Sequence, residues 1–250
     1  ENPSRVTRHL PLDFIVAEVS SFQLESIDMF KPKGAAVLNI TPDHLDRYRS
    51  INEYRDAKAA IFMNQDETDF LVLNADDPEI IKMRNEKLGD RDKKPQVFYF
   101  SRQRDVEGAY YKDGKIHFKM PGVPSTFMLQ PSSFRIKGVH NLENAMAAAA
   151  MALLAGCSRD AVGEAVMEFP GLEHRLEFVR EMNGVKYIND SKGTNVGAVV
   201  KSLEGFSEPI ILIAGGRDKA GDFTRLSSLV RDRVKALILI GEAAEKIKGV

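Results

Sequence analysis

Short apolar runs that alternate with helical segments constrain the fold of this chain more than any other feature. Four runs rich in β-branched and aromatic residues have the pattern of strands buried on both faces, namely residues 13–19, 35–40, 69–74 and 96–100. Residues 51–65 carry apolar side chains at helical spacing, and Asp77-Pro78 opens another helix after the third run. This succession of strand and helix predicts a mostly parallel α/β sheet.

Two predicted turns and one predicted domain boundary organise the chain after residue 100. Asp113-Gly114 and Asn183-Gly184 each lie between two short alternating runs, which predicts two antiparallel hairpins, the first of them a flap beside the parallel sheet. Phe169-Pro170-Gly171 marks a boundary, so we expect two domains, at 1–170 and 171–250. The second domain continues with alternating helix and strand at 194–203, 209–214, 223–230 and 234–240.

Charge and composition exclude several classes of function. A formal net charge of −1 provides no field that would gather nucleic acid or anionic lipid. No apolar run approaches the roughly 20 residues that a membrane-spanning helix needs. Cys157 is the single cysteine, so we expect it to be a small buried apolar side chain without a disulfide. We therefore expect a cytoplasmic protein with no nucleic-acid partner and no membrane segment. We also expect it to be monomeric.

Ionisable residues follow the first two predicted strands. Glu18 lies near the end of the first, and the segment from Asp43 to Tyr48, which includes His44, follows the second. Functional groups of open α/β sheets collect at the carboxyl ends of the strands, so these side chains would meet in one crevice and could bind Mg²⁺ or Mn²⁺. The alternative is an exposed Glu18 at a sheet edge and a solvated loop with a capping Asp.

Two lysines have two interpretations each. Lys58 follows Tyr54 on the apolar stripe of the helix predicted at 51–65, where its ammonium group either extends to water or has a changed charge state. Lys192 and Thr194 lie in a strand-to-helix loop whose free backbone N–H groups suit an anion. The same loop is also consistent with ordinary turn and cap chemistry.

Five ordered motifs together resemble the Mur ligase family. The first combines Glu18-Val-Ser-Ser-Phe-Gln-Leu-Glu25 with residues 39–48 and 54–58, and the others are Gly138-Val-His-Asn-Leu-Glu-Asn144, Phe169-Pro-Gly-Leu-Glu-His-Arg175, Asn189-Asp-Ser-Lys-Gly-Thr-Asn195 and Gly215-Gly-Arg-Asp-Lys219. The segment from Ser20 to Glu25 is similar in particular to the members that add D-glutamate. Five motifs in order are more specific than any one of them.

The resemblance implies an ATP-dependent ligase of peptidoglycan precursor synthesis. Such an enzyme joins D-glutamate to UDP-N-acetylmuramoyl-L-alanine through an acyl phosphate. The implied fold is a central ATP-binding domain with a mostly parallel sheet, incomplete at its N-terminus, followed by a truncated Rossmann-like C-terminal domain. The alternatives are another amide ligase of the same family and a non-catalytic nucleotide-binding module.

The resemblance also implies a metal site and a set of catalytic residues. Glu18, His44 and Lys58 match ligands of Mg²⁺, with Lys58 carbamylated so that it supplies an oxygen ligand of the kind Mg²⁺ prefers. The implied catalytic residues are His44, Lys58, Arg175 and Lys192.

Nucleotide and substrate contacts follow from the same resemblance. Asn144 matches a contact to adenine, supported by Asn141. Arg175 matches a contact to the ATP phosphates, and Asp190 matches one to the ribose. The implied substrate contacts are His44, Lys192, Thr194 and Lys219, the last of them to the carboxylate of D-glutamate.

Three parts expected of the family do not occur in these 250 residues. They are the Gly-x-x-x-x-Gly-Lys-[Ser/Thr] loop for phosphate, the N-terminal domain that would hold UDP, and a late Ser-Pro-Ala-type segment. Each motif within the covered span is intact. We therefore expect the chain to be a fragment of the enzyme and to be inactive by itself.

Overall fold

The computed structural model describes residues 13–41, 47–136, 138–218 and 221–250. Its largest element is a six-stranded sheet whose strands follow the order of the chain. The strands are Gly34–Val37 (β1), Phe70–Asn74 (β2), Gln96–Ser101 (β3), Gly108–Lys112 (β4), Lys115–Lys119 (β5) and Met128–Leu129 (β6). Strands β1 to β4 are parallel, whereas β5 and β6 are antiparallel to their neighbours. The predicted mixed α/β class with a mostly parallel sheet is confirmed.

Helices cover both faces of the central sheet. They are Ser21–Leu24 (α1), Ile51–Ala59 (α2), Pro78–Leu88 (α3), Val139–Leu154 (α4) and Arg159–Glu168 (α5). Phe70 and Val72 of β2 lie in a buried cluster with α4, whereas Leu71 and Leu73 lie in a second cluster with α2 and α3. All of β2 is buried, which explains why its sequence is continuously apolar rather than alternating.

Asp77 joins the segments that follow two neighbouring strands of the sheet, β1 and β2. Its Oδ1 accepts the N–H groups of Glu79 at 2.9 Å and Ile80 at 3.2 Å, which caps α3. Its Oδ2 accepts the Ile40 N–H at 2.8 Å, just beyond β1. The segment that follows β1 is therefore held at the carboxyl edge of the sheet.

The predicted hairpin around Asp113 and Gly114 forms, with φ angles of 49° and 78° at these two residues. It is not a separate flap, however, because β4 also pairs with β3 in parallel. This pairing satisfies backbone groups of β3 that a detached hairpin would leave open. The hairpin is thus an extension of the central sheet.

The second half of the chain contains two smaller sheets. Strands Glu177–Met182 (β7) and Val185–Asn189 (β8) form the predicted second hairpin, while Ile210–Gly215 (β9) and Val234–Ile240 (β10) form a parallel pair. Helices Val196–Glu204 (α6), Ser227–Arg233 (α7) and Ala244–Lys248 (α8) accompany them. The predicted alternation of helix and strand is therefore present.

Residues 13–19 do not form the strand that their apolar run predicts. Ile15 and Val16 are 84% and 96% exposed, and Glu18 is also exposed. In the ranges that the structure describes, β1 pairs only with β2, so no neighbouring strand satisfies the backbone of 13–19. An apolar run specifies a buried strand only where such a neighbour exists. Glu18 consequently lies outside any strand.

Cys157 is exposed, contrary to the expected burial. The packed part of α4 ends at Leu154, and Gly156 adopts a φ of 93°, so the chain turns away from the core before Cys157. Among the described residues, no helix combines the length and apolar character needed to cross a bilayer.

Gly215→Ala should destabilise the protein far more than Gly216→Ala. A Cβ atom at position 215 would lie 1.9 Å from the Ile240 carbonyl oxygen, whereas one at position 216 would meet nothing within 4 Å. Backbone must move in the first variant, so we expect a loss of about 3 kcal/mol or more. The second variant meets only the positive φ, which costs about 1–2 kcal/mol. Urea unfolding measures both, and equal losses would contradict the close β9–β10 approach.

Candidate functional site

Arg175 lies in a tight loop with an unusual backbone. The residues on either side, His174 and Leu176, have φ angles of 66° and 46°. Left-handed conformations cost non-glycine residues about 1–3 kcal/mol and persist only where the surroundings fix them. Here the His174 N–H donates to Glu177 Oε2 at 2.8 Å, and the Leu176 N–H donates to Asp190 Oδ1 at 3.1 Å. The loop therefore holds the exposed Arg175 in one backbone position.

Asp190 connects this loop to helix α6. Its Oδ2 accepts the Ser202 hydroxyl at 2.5 Å, while its Oδ1 accepts the Leu176 N–H. Its main-chain oxygen accepts the Gly193 N–H at 2.8 Å. Each carboxylate oxygen has two lone pairs, so Asp190 retains capacity to accept from a ligand hydroxyl.

The Lys192 loop is joined to the Arg175 loop through the backbone. The Lys192 N–H donates to the His174 carbonyl oxygen at 2.9 Å. Asn195 caps α6 by accepting the Ala198 N–H at 2.8 Å. The predicted cap chemistry is thus present, and it leaves the side chains of Lys192 and Thr194 exposed. Three of the predicted site residues are brought together here: Arg175, Asp190 and Lys192.

The start of α6 also approaches the central sheet. A Cβ atom on Gly197 would lie 3.9 Å from Thr41 Oγ1, an ordinary van der Waals distance. Thr41 follows β1 at the carboxyl edge of the sheet. The loop with Lys192 and Thr194 is therefore close to the edge at which ligands of parallel α/β sheets bind.

The N-terminus of α4 carries the predicted adenine contacts. Asn141 and Asn144 are half-buried in its first turns, and Gly138 supplies no capping side chain. Burial lowers the pKa of the neighbouring His140 below its ordinary value of 6.5, while the charges of Asp190 and Glu143 oppose this shift. The charges of Asp190 and Arg175 both act on the pKa of His140, so the start of α4 lies within electrostatic range of these two residues.

A polar network missed at the level of sequence fixes α4 to the sheet. Arg102 Nε donates to Glu143 Oε1 at 2.6 Å, and the Arg102 N–H donates to Asp76 Oδ2 at 2.7 Å. Asp76 Oδ1 in turn accepts the Ser101 hydroxyl at 2.6 Å. Glu143 precedes Asn144, so the network helps to set the orientation of the helix. The only local signal was Asp76 directly before the capping Asp77. The sequence also yielded no prediction for His140, although it directly precedes Asn141 in the motif from Gly138 to Asn144.

The predicted metal ligands are only partly within the described residues. Lys58 is half-buried, and its Nζ lies 5.0 Å from the centroid of the Tyr54 ring. Glu18 is exposed, and His44 lies outside the described residues. No cluster of three His, Cys, Asp or Glu side chains suited to a metal occurs within 13–41, 47–136, 138–218 and 221–250. The metal site therefore stays a prediction.

Lys219, the predicted contact to D-glutamate, also lies outside the described residues. The preceding Asp218 is described, and its Oδ2 pairs with Lys246 Nζ at 2.9 Å. This ion pair links the end of the Gly215 motif to helix α8.

Ser202→Ala should weaken the link between Asp190 and α6. The variant removes the hydroxyl that donates to Asp190 Oδ2, and we expect a loss of about 1 kcal/mol in the free energy of unfolding. Ser207→Ala is the matched control, because the Ser207 hydroxyl donates to Glu208 at the exposed surface. Its effect should stay within about 0.5 kcal/mol. Equal losses in urea unfolding would contradict a specific role for Ser202.

Two family matches cover most of the chain. Residues 5–152 match the Mur ligase middle domain, and residues 174–249 match the family described as Mur ligase, glutamate ligase domain. A UDP-N-acetylmuramoylalanine--D-glutamate ligase of Geotalea daltonii is 52% identical over 235 residues, covering 94% of this chain and 50% of the relative. The chain spans about half the length of the curated relatives that it matches.

Solved structures share the fold. MurF from Acinetobacter baumannii aligns with a TM-score of 0.69 and 19% identity, covering 87% of this chain and 49% of the other. MurF ligase from Thermotoga maritima, in complex with ADP, aligns with a TM-score of 0.64 and 18% identity, covering 88% and 55%. At these identities the likeness concerns the fold alone.

Proposed function

Because this chain belongs to the Mur ligase family, we propose that it is the nucleotide-binding part of an ATP-dependent ligase that joins D-glutamate to UDP-N-acetylmuramoyl-L-alanine. The name of the Geotalea daltonii relative supports this substrate pair. The observation that carries the proposal is the contact between the loops of Arg175, Asp190 and Lys192 beside the start of α4. Arg175 offers a cation, and Asp190 can accept a hydrogen bond from a hydroxyl group. Asn141 and Asn144 at the start of α4 offer side-chain amides.

The nucleotide would lie between α4 and the Arg175 loop. Asn144, supported by Asn141, would contact adenine through its amide, which can both donate and accept. Asp190 would accept from a ribose hydroxyl with its remaining lone pairs. Arg175 would bind the phosphates, since a guanidinium matches phosphate oxygens in a bidentate manner. The fixed backbone of the Arg175 loop reduces the reorganisation needed on binding.

The proposed metal ligands are Glu18, His44 and a carbamylated Lys58. An ammonium group cannot coordinate a cation, whereas a carbamate supplies the oxygen donors that Mg²⁺ prefers. Bound Mg²⁺ would supply charge neutralisation for the phosphoryl group in transfer. The half-buried Lys58 beside Tyr54 is compatible with a side chain that is neither fully solvated nor sealed in the core.

The proposed reaction proceeds through an acyl phosphate. A carboxylate oxygen of UDP-N-acetylmuramoyl-L-alanine attacks the terminal phosphorus of ATP, and ADP leaves. The amine of D-glutamate then attacks the acyl carbon, forms the amide, loses a proton and releases phosphate. His44, Lys58, Arg175 and Lys192 would act on the transferring group. Lys192, Thr194 and His44 would contact the substrate, and Lys219 would bind the D-glutamate carboxylate. We place this chemistry in a monomeric cytoplasmic protein.

The acceptor amino acid tests the proposal. In a protein of the relatives' length that contains this chain, phosphate release from ATP should depend on UDP-N-acetylmuramoyl-L-alanine and D-glutamate. The isolated 250 residues should show no turnover, since they lack the Gly-Lys-Ser or Gly-Lys-Thr loop for phosphate. Equal or faster turnover with L-alanine, meso-diaminopimelate or a glutamate-tailed folate would instead favour another amide ligase. No turnover with any acceptor would favour a non-catalytic nucleotide-binding module.

Lys58→Ala should lower ligase activity of the longer protein by about 100-fold or more, because it removes the carbamate oxygens. Excess bicarbonate or a short-chain carboxylic acid should restore part of the activity, because each supplies carboxylate-like oxygens in place of the lost carbamate. Lys235→Ala is a matched control at an exposed position and should retain activity under all conditions. Full activity of Lys58→Ala without additives would rule out the carbamate.

A further inference from the structure

Hydrogen bonds around Asn189 fix the orientation of its side-chain amide. The Ser191 N–H lies 3.2 Å from Asn189 Oδ1, and the Ser191 hydroxyl lies 2.9 Å from the same atom. A backbone N–H can only donate, so the Asn189 atom that faces it must be the oxygen. The amide nitrogen Nδ2 therefore faces the opposite direction.

This orientation decides the tautomer of His174. Asn189 Nδ2 lies 2.8 Å from His174 Nδ1, and because Nδ2 can only donate, Nδ1 must accept. The second hydrogen of Nδ2 is directed to Glu177 Oε2 at 3.2 Å. That oxygen also accepts the His174 N–H, and it lies 3.5 Å from Nδ1, beyond hydrogen-bond length for a protonated ring. A neutral His174 then carries its proton on Nε2.

We propose that Asn189 is a positioning residue that holds His174 as the neutral Nε2–H tautomer, and that this N–H is a second donor to a nucleotide phosphate beside Arg175. The phosphate contact rests on the proposed function, whereas the tautomer does not. His174 is adjacent to Arg175 in the same fixed loop, and its side chain is 57% exposed. Within the described residues, its Nε2 makes no hydrogen bond and is available to a ligand.

A backbone role is the competing explanation for a histidine at position 174. His174 has a φ of 66°, and among non-glycine residues Asn, Asp and His are the ones most often found there. On that explanation Asn would be the best replacement. If His174 is instead a hydrogen-bond donor, Gln should be a better replacement than Asn. The amide nitrogen of Gln reaches the position of Nε2, whereas that of Asn corresponds to Nδ1.

Nitrogen NMR of the chain with labelled histidine tests the tautomer without any ligand. At about pH 8.5, where histidine side chains are normally neutral, the proton should be on Nε2 in the wild type. Asn189→Asp places an acceptor opposite Nδ1 and should move the proton to Nδ1. Asn183→Asp, in the β7–β8 turn, is the matched control and should leave it on Nε2. A wild-type proton on Nδ1, or no change in a folded Asn189→Asp chain, would overturn the inference.

ADP titrations followed by amide NMR test the phosphate contact. His174→Gln should retain the wild-type affinity, while His174→Asn and His174→Ala should each lose about five-fold, the effect of one hydrogen bond. Adenosine, which lacks phosphate, should bind all four proteins equally. An affinity for ADP that is higher in His174→Asn than in His174→Gln would support the backbone role and overturn the contact.

The two proposals fail in different ways. Wild-type amide signals near Arg175 and Asn144 that do not respond to ADP would contradict the nucleotide site, and with it the phosphate contact, even if the tautomer experiment gave the expected result. A clear response to ADP with the His174 proton on Nδ1 would leave the nucleotide site intact and overturn only the role of Asn189.

Discussion

The carboxylate of Asp190 is the interaction on which the candidate site depends. One oxygen accepts the Leu176 N–H and the other accepts the Ser202 hydroxyl, so one side chain joins the Arg175 loop to helix α6. The first of these bonds restrains Leu176 in its left-handed conformation. Because the bonds leave further lone pairs, the same group serves the fold and remains available to a ligand.

The loop around Arg175 contains two residues with strained backbone conformations, and hydrogen bonds hold both of them in place. His174 and Leu176 both adopt left-handed backbone conformations, and the bonds from Glu177, Asn189 and the Lys192 backbone offset that local cost. The result is an exposed Arg175 on a backbone that cannot relax independently. The charge of Asp190 also raises the pKa of half-buried His140 against the effect of burial, so the start of α4 lies within electrostatic range of the site. Preorganised charge of this kind suits the binding of a polyanion.

Local sequence patterns predicted most elements because they reflect local physics. The continuous apolar run at 69–74 became the buried strand β2, and the Asn183-Gly184 pair formed its hairpin turn. The prediction at 13–19 was wrong because a strand also requires a paired neighbour, which no periodicity reports. The first hairpin was not the expected flap for the same reason, since β4 found a partner in β3.

The sequence by itself determined most of the order of helices and strands, the family, and the residue types available for the site. Only the tertiary structure decided which of these residues meet. Asp190 bonds to groups 14 and 12 residues away in the chain, and Arg102 bonds to Glu143, 41 residues away. Side-chain periodicity depends on neighbours within a turn or a strand, whereas such bonds depend on how packed elements approach one another. The role inferred for Asn189 therefore followed from hydrogen-bond directions, not from its motif.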